Sequence, residues 1–469
     1  LSRANSIPND GLIRFLGILN HERIMPTSPQ ALKEILVTKN YDFTKPTEFI
    51  TGLGRLLGIG LFLAEGDEHK HQRRILLPAF AFRHVKDLVP TFWSMSREGA
   101  LFMADSALAA AADAPPSDDE KSAPRTAVLE ISEWASRMTL DIIGATGLGR
   151  DFGATKDPDN DLAKNYGLLF KPTAGAQFLG LLQLIFPGWL VKLMPIKRNS
   201  TVEEASGVVR SVCRALIAEK KQKLADKTLE DLDILSVAVE SGGFTDDELV
   251  NQMMTFLAAG HETTATAITW TIYQLCLNPE IQSRLREEVR SRLPSLEDAS
   301  AAVSAMDIDH MPYLNAVCNE SLRYFPPAPV SARVSAVDTT ICNQRVPKGT
   351  RVLIVPQAVN RSRALWGEDA EKFKPERWLP YFDGDKGAAS GHAVSNYAFL
   401  TFFHGPRSCI GQAFAKAEFA CLLAAWVGRF QFELKNEEDR DEDQLEIKGI
   451  ITARPKNGLW VKATVLDGW

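Results

Sequence analysis

Cysteine is scarce in this sequence: six in 469 residues, with no Cys-x-x-Cys pair and no zinc-type spacing. That excludes a disulfide framework and a local zinc module, and it suits reduced, mostly buried thiols. An excess of basic charge is missing too. Lysine plus arginine total 53 against 59 acidic residues, a formal charge of −6, which excludes the electrostatic footprint of a nucleic-acid binder. No internal repeat runs through the chain. Its first residues show no secretory signal peptide, and Leu1 is not an initiator methionine. The uncharged run that stands out, residues 172–191, is interrupted by Gly175, Gln177, Gly180, Gln183 and Pro187-Gly188. A buried or membrane-dipping helix–loop–helix suits it better than a continuous span.

What is present is ample apolar material, 45% of residues, and helical periodicity over most of the length. Leu12 to Leu16 reads as a strand, and residues 29–38 as a helix opening with Pro29. Gly52, Gly54, Gly58 and Gly60 mark a mobile loop. Helices follow over 67–112. Residues 109–125, rich in Ala, Pro, Ser and Asp, read as a flexible, solvated insertion. Residues 131–149 are helical again. Thr245-Asp246-Asp247-Glu248 is a capping box that opens a long helix to residue 277, stopped by Asn278-Pro279. Helices continue to Tyr324, strands occupy 330–355, a helix follows Gly411, and strands close near Trp460. The expectation is a mainly α fold with small sheets. It forms one catalytic unit, β-rich over 1–60 and 325–360 and helical over 61–324 and 400–430.

The decisive stretch is Phe402-Phe403-His404-Gly405-Pro406-Arg407-Ser408-Cys409-Ile410-Gly411. A cysteine just before a helix N-terminus feels that helix's positive end, which favours thiolate. Gly405 permits a tight turn, Gly411 lets the next helix approach a flat cofactor, and Phe402 shields the sulfur. Arg407 can pair with a carboxylate. His404 is a packing or surface residue, not a rival ligand.

These residues fit F-x-x-G-x-R-x-C-x-G, the haem-ligand signature of the cytochrome P-450 superfamily, which the chain resembles from about Leu12 to Trp460. Further motifs occur in the family's order. Ala259-Gly260-His261-Glu262-Thr263-Thr264 is similar to the oxygen-activation motif. There Gly260 and the threonines can loosen the helical ladder, and Glu262 with Thr263 forms an acid–alcohol pair for proton relay. Glu320-Ser321-Leu322-Arg323 fits E-x-x-R, with Arg377 as the partner arginine in Pro375-Glu376-Arg377-Trp378. The resemblance implies that Glu320, Arg323 and Arg377 form a buried structural network. Gly66 to Arg74 resembles the propionate-binding helix. His69 replaces the usual tryptophan, Arg73 holds the arginine position, and Arg333 sits where the family places another propionate arginine.

The style of the cysteine loop is similar to the fungal, membrane-bound branch. The resemblance therefore implies the fold of that superfamily, haem b with Cys409 as axial iron ligand, and electrons from NADPH through NADPH–cytochrome P-450 reductase. It further implies dioxygen, a hydrophobic small-molecule substrate such as a secondary metabolite, and an N-terminal anchor on the cytosolic face of the endoplasmic reticulum that precedes this sequence. By the same analogy the loop near 50–63, Phe256, Ala259, Ala328, Val330, Ile450 and Ile451 line the substrate pocket. A haem-thiolate isomerase, dehydratase or peroxide-driven enzyme is the alternative. A non-catalytic haem-binding protein ranks below both.

Overall fold

The computed structural model describes residues 7–17, 20–112, 125–170, 197–382, 384–449 and 451–469. Apolar residues at helical spacing and well-placed caps account for most of its elements. Ser28 caps α1 (Pro29–Lys33), whose helical path continues as a π-type turn over Glu34–Thr38. Then come α2 (Thr47–Leu57), α3 (Gly66–Leu76) and α4 (Phe82–Ala112). The Glu130 carboxylate accepts from two backbone N–H groups at the start of α5 (Ile131–Ile143). Next are α6 (Asp161–Phe170), α7 (Lys197–Ala225) and α8 (Ile234–Glu240). The capping box at Thr245 and Glu248 forms as the sequence indicates and opens α9 (Asp246–Leu277). At 1.5 Å per residue α9 is about 48 Å long, enough to cross the core. Helices α10 (Pro279–Arg292), α11 (Pro312–Tyr324) and α12 (Gln412–Arg429) complete the set used below.

Helix α9 is the central beam. It packs against α5 along one side, and α12 lies between α4 and α9. Trp270 and Tyr273 on α9 and Trp426 on α12 are among the largest fully buried side chains. Trp270 stacks on Phe325 at 4.1 Å. A five-stranded sheet flanks this helical body in the order β1 (Leu12–Leu16), β2 (Glu22–Pro26), β8 (Arg351–Ile354), β5 (Ser331–Ser335), β3 (Phe43–Thr44). Only the β2–β8 pairing is parallel. A second sheet sets β12 (Trp460–Val465) between β4 (Thr126–Glu130) and β9 (Phe430–Leu434). Two small hairpins, β6–β7 (Thr339–Ile341, Gln344–Val346) and β10–β11 (Ile447–Lys448, Arg454–Pro455), complete the strands.

Two sequence expectations change here. Gly52 and Gly54 lie inside helix α2, where the apolar spacing of Phe49, Ile50, Leu53 and Leu57 outweighs the glycines. The chain after it is clamped: a Cβ on Gly60 would meet Thr255 Oγ1 at 2.3 Å, and Leu61 N donates to Gln252 Oε1 at 2.9 Å. Residues 109–112 extend α4 instead of opening the insertion. Residues 113–124 and 172–191 lie outside the described residues. Among the described residues no helix is long and apolar enough to cross a membrane.

Candidate active site

The cysteine loop is built by sterics and one backbone bond. Cys409 N donates to Phe402 O at 2.8 Å, closing the loop on itself. Gly405 has φ +77, and a Cβ there would meet Leu36 O at 2.2 Å, so glycine is required twice over. At Gly411 a Cβ would meet Phe80 at 3.5 Å, an ordinary contact. Packing within the protein does not by itself demand that glycine. Phe402 lies 6.3 Å from Phe399, ring to ring, and His404 Nε2 donates to Phe399 O at 3.2 Å, as a packing residue.

Cys409 keeps exposed surface, yet burial pushes its thiol pKa up, with the Gly411 N–H and Arg73 pulling the other way. A thiol that is both accessible and desolvated faces space enclosed by protein. Burial here opposes the helix end's preference for thiolate, and a cation bound at the sulfur would favour the thiolate.

Beside the loop lies a cluster of cations. Lys45 and Arg333 are buried, each at 9% exposure. Burial lowers the pKa of Lys45 to about 8 and that of Arg333 to about 10. Arg407 pairs with Glu65, which also accepts from Lys45 Nζ at 3.0 Å. Arg407 Nη2 and His69 Nδ1 are buried without a partner among the described residues. Burial, with Arg407 and Lys45 nearby, pushes the His69 pKa down to about 4, so its ring is a neutral donor. Buried donors without acceptors are costly. A group bearing carboxylates would satisfy them, as haem does through its propionates. Arg73, on the same side, holds Ser408 O at 2.7 Å and Ser408 Oγ at 3.2 Å with its guanidinium, and so steadies the cysteine loop.

The Glu320 network is fully buried. Arg323 reaches both Glu320 oxygens at 2.8 Å, Arg377 Nε donates at 3.1 Å, and Trp378 Nε1 at 3.0 Å. Burial alone would raise the Glu320 pKa, but Arg323 and Arg377 hold it below the ordinary carboxylate value. Arg323 also donates to Asn360 O and Ala370 O, each at 2.7 Å. Asn360 in turn receives Leu400 N at 2.8 Å and donates to Thr401 Oγ1. The network thus ends one residue before Phe402.

On α9, Ala259 is exposed although the helix around it is buried, with Leu257 at 1% and Thr264 at 3%. Thr263 Oγ1 donates to Ala259 O at 2.6 Å. Glu262 accepts from Thr452 Oγ1 at 3.3 Å, so the acid and the alcohol of the expected pair take different partners. Adjacent residues project about 100° apart on a helix, which sends them to different partners. Burial raises the Glu262 pKa against the pull of Arg454 and Thr452. Gly260 faces α5: a Cβ there would meet Ile143 Cδ1 at 2.9 Å. Its contact there is helix packing.

Among the pocket residues read from the sequence, Ala328 and Ile451 are half-buried and Val330 is 41% exposed. Ala453 N donates to Pro327 O at 2.9 Å, which ties their two segments together. Phe256 is a core residue, its ring 5.6 Å from Phe80. Ile450 lies outside the described residues. Sequence reasoning missed Lys45, Glu65 and Asn360. Glu65 announces itself only as a charge beside Gly66, and Lys45 and Asn360 carry no local signal.

A single cysteine facing enclosed space, with a cationic cradle beside it, defines the class of proteins that hold haem by a thiolate. Among the described residues no group of three His, Cys, Asp or Glu could hold a bare metal ion. A lone sulfur ligand therefore suits a metal whose other ligands come from a macrocycle. A sequence model of the cytochrome P-450 family matches residues 13–461, and the chain belongs to that family. It is 47% identical to cytochrome P-450 monooxygenase sphH of Aspergillus fumigatus, an alignment covering 99% of this chain and 83% of that protein. Against cytochrome P-450 monooxygenase ALT8 of Alternaria alternata the identity is 44%, covering 100% and 85%. Against buaD of Petromyces alliaceus it is 43%, covering 98% and 83%.

Proposed function

We propose that this monooxygenase holds haem b through the Cys409 sulfur and oxidises a hydrophobic small molecule of secondary metabolism. Its electrons come from NADPH through NADPH–cytochrome P-450 reductase. The native protein works at the cytosolic face of the endoplasmic reticulum, on an N-terminal anchor. The observation that carries this reading is the juxtaposition of a sulfur facing enclosed space with the cations Lys45, Arg333 and Arg407, of which Lys45 and Arg407 share the carboxylate Glu65.

When bound there, haem supplies the reduction and activation of dioxygen, and thiolate ligation favours O–O cleavage. The chain's own residues do the rest. Arg407, Arg333, Lys45 and His69 bind the propionates, while Arg73 fixes Ser408 and hence the sulfur. Phe402 and Gly411 shape the sulfur's surroundings. Glu262, its pKa raised by burial, would hold a proton on α9, and Thr263 offers a hydroxyl on the same turn. Ala259, Ala328, Val330 and Ile451 present an apolar wall that excludes water and suits an apolar substrate.

The test is Cys409→Ala against wild type, both loaded with haem. The reduced wild-type protein shows the thiolate absorption signature on carbon monoxide addition and consumes dioxygen with NADPH and reductase. The variant shows neither. Survival of the signature in the variant refutes the ligand assignment, and turnover without any reductase refutes the electron source.

A further inference from the structure

His261 lies inside the oxygen motif but points away from the open space, and its contacts can be given a direction. Its ring is 5.1 Å from that of Tyr166 on α6, edge to face. Both residues are buried, His261 at 6% and Tyr166 at 2%. Tyr166 donates its one hydroxyl proton to Leu257 O at 3.0 Å, because a carbonyl can only accept. Toward His261 Nδ1, 3.2 Å away, the same oxygen must therefore accept. That assigns the proton to Nδ1. His261 Nε2 is then an acceptor, and Ser136 Oγ on α5 donates to it at 2.8 Å. Burial, helped by Arg454, pushes the His261 pKa down to about 3, consistent with a neutral ring. The result is a one-way relay from Ser136 through His261 and Tyr166 to Leu257 O.

This relay loads the turn of α9 that carries Glu262 and Thr263. In a helix the Leu257 carbonyl serves the N–H of residue 261, yet it also accepts from Tyr166. The Ala259 carbonyl accepts from Thr263 Oγ1 at 2.6 Å. Carbonyls 257 and 259 thus each take an extra side-chain donor, and such back-bonding loosens and bends helices. The donor at 257 belongs to another helix, α6. Helix α6 packs chiefly on α7, so Tyr166 joins that pair of helices to the oxygen motif.

We propose that His261 is a positioning residue: with Ser136 and Tyr166 it pins α6 to α9, coupling the placement of the α6–α7 layer to that of Glu262 and Thr263. It touches neither substrate nor cofactor. Movement of α6 away from α9 breaks the Tyr166 bonds and restores the plain ladder at carbonyl 257. The position of α6 is thereby written into the proton-handling turn.

The experiment uses the full chain loaded with haem, hydrogen–deuterium exchange resolved by segment, and binding of 4-phenylimidazole read from its absorption change. Tyr166→Phe removes one oxygen and keeps the ring. His261→Leu removes the ring nitrogens. His261→Asn retains an N–H donor where Nδ1 stood. Loss of a buried hydrogen bond corresponds to about a five- to tenfold change in an opening equilibrium. In Tyr166→Phe and His261→Leu, amide exchange is expected to rise by that factor in α6 and in residues 258–263 together. The 4-phenylimidazole dissociation constant should shift in step, and His261→Asn should stay close to wild type. The carbon monoxide signature is unchanged throughout, which separates this test from the haem-thiolate reading itself. Faster exchange in α6 with none in residues 258–263 overturns the coupling. So does a His261→Asn variant that behaves like His261→Leu. Should His261→Leu fail to load haem, Tyr166→Phe decides alone.

Discussion

The two sides of the enclosed space are built on opposite plans. On the sulfur side, Glu320 takes donors from Arg323, Arg377, Trp378 and the Lys374 backbone. Asn360 carries the chain of bonds on to Leu400 and Thr401. On the α9 side, Ala259 and Val330 show bare apolar surface, Glu262 has one weak hydroxyl donor at 3.3 Å, and two helix carbonyls carry extra donors. A ligand-bearing loop must hold one geometry, and over-determined bonding enforces it. A site that admits a substrate and delivers protons needs groups that can change partners. Rigidity on one side permits looseness on the other.

Breaking the rigid side should have the largest effect. Glu320→Ala strands two buried guanidinium groups, and removing one partner of a buried ion pair costs about 3–5 kcal/mol. Urea unfolding should show that loss, with poor haem uptake because the support behind Leu400 goes with it. A stability change under about 1 kcal/mol would show the network to be dispensable.

A second carboxyl gives the contrast in pH dependence. Glu418 on α12 is fully buried; it accepts from Thr264 at 3.1 Å, and its other oxygen has no partner among the described residues. Burial pushes its pKa up to about 8, against the pull of the Thr264 bond. In the unfolded chain a glutamate titrates near 4.3, so between these values the native state holds the extra proton. Stability contributed by that proton is present below the lower value and is lost as pH rises to about 8. Wild type should therefore lose about 2–4 kcal/mol relative to Glu418→Gln between pH 5 and pH 8. Parallel pH profiles for the two proteins would mean that Glu418 is ionised or solvated in the fold.

What was legible in the sequence follows the same division. Cys409, Gly405, Arg407 and the pair Glu320–Arg323 are residue types at fixed short spacing, so their chemistry is local and readable. Capping at Thr245 and the course of α9 were readable for the same reason. Lys45 and Glu65 were not, since each gains meaning only where Arg407 comes back to meet them from the far end of the chain. The same holds for Asn360 and for Tyr166, whose partner His261 lies 95 positions away. The direction of a side chain was also hidden. Adjacent Glu262 and Thr263 read as a pair on paper, and helical geometry sends them to different partners. At Gly52 and Gly54 local breaker logic lost to the apolar stripe of α2.

The cradle between the two sides should respond less than either carboxyl. Lys45→Met keeps the side chain's bulk and removes one cation from the group around Glu65 and Arg407. One charge-assisted bond to a propionate should be lost, speeding haem release to an apomyoglobin trap about tenfold. The carbon monoxide signature should be preserved, because the sulfur side is untouched. An unchanged release rate would remove Lys45 from the cradle.

The smallest effect belongs to the hydroxyl over Glu262. Thr452 lowers the Glu262 pKa while burial raises it, so Thr452→Val leaves burial less opposed and moves the pKa further up. A carboxyl that works in its protonated form then stays competent to higher pH. The alkaline limb of NADPH-dependent oxygen consumption should move upward, by less than about one pH unit for one weak hydrogen bond. Movement downward would mean that Glu262 acts as the carboxylate. No movement, with unfolding stability unchanged, would mean that the limb belongs to another group, and the looseness assigned to this side would then lie elsewhere than at Glu262.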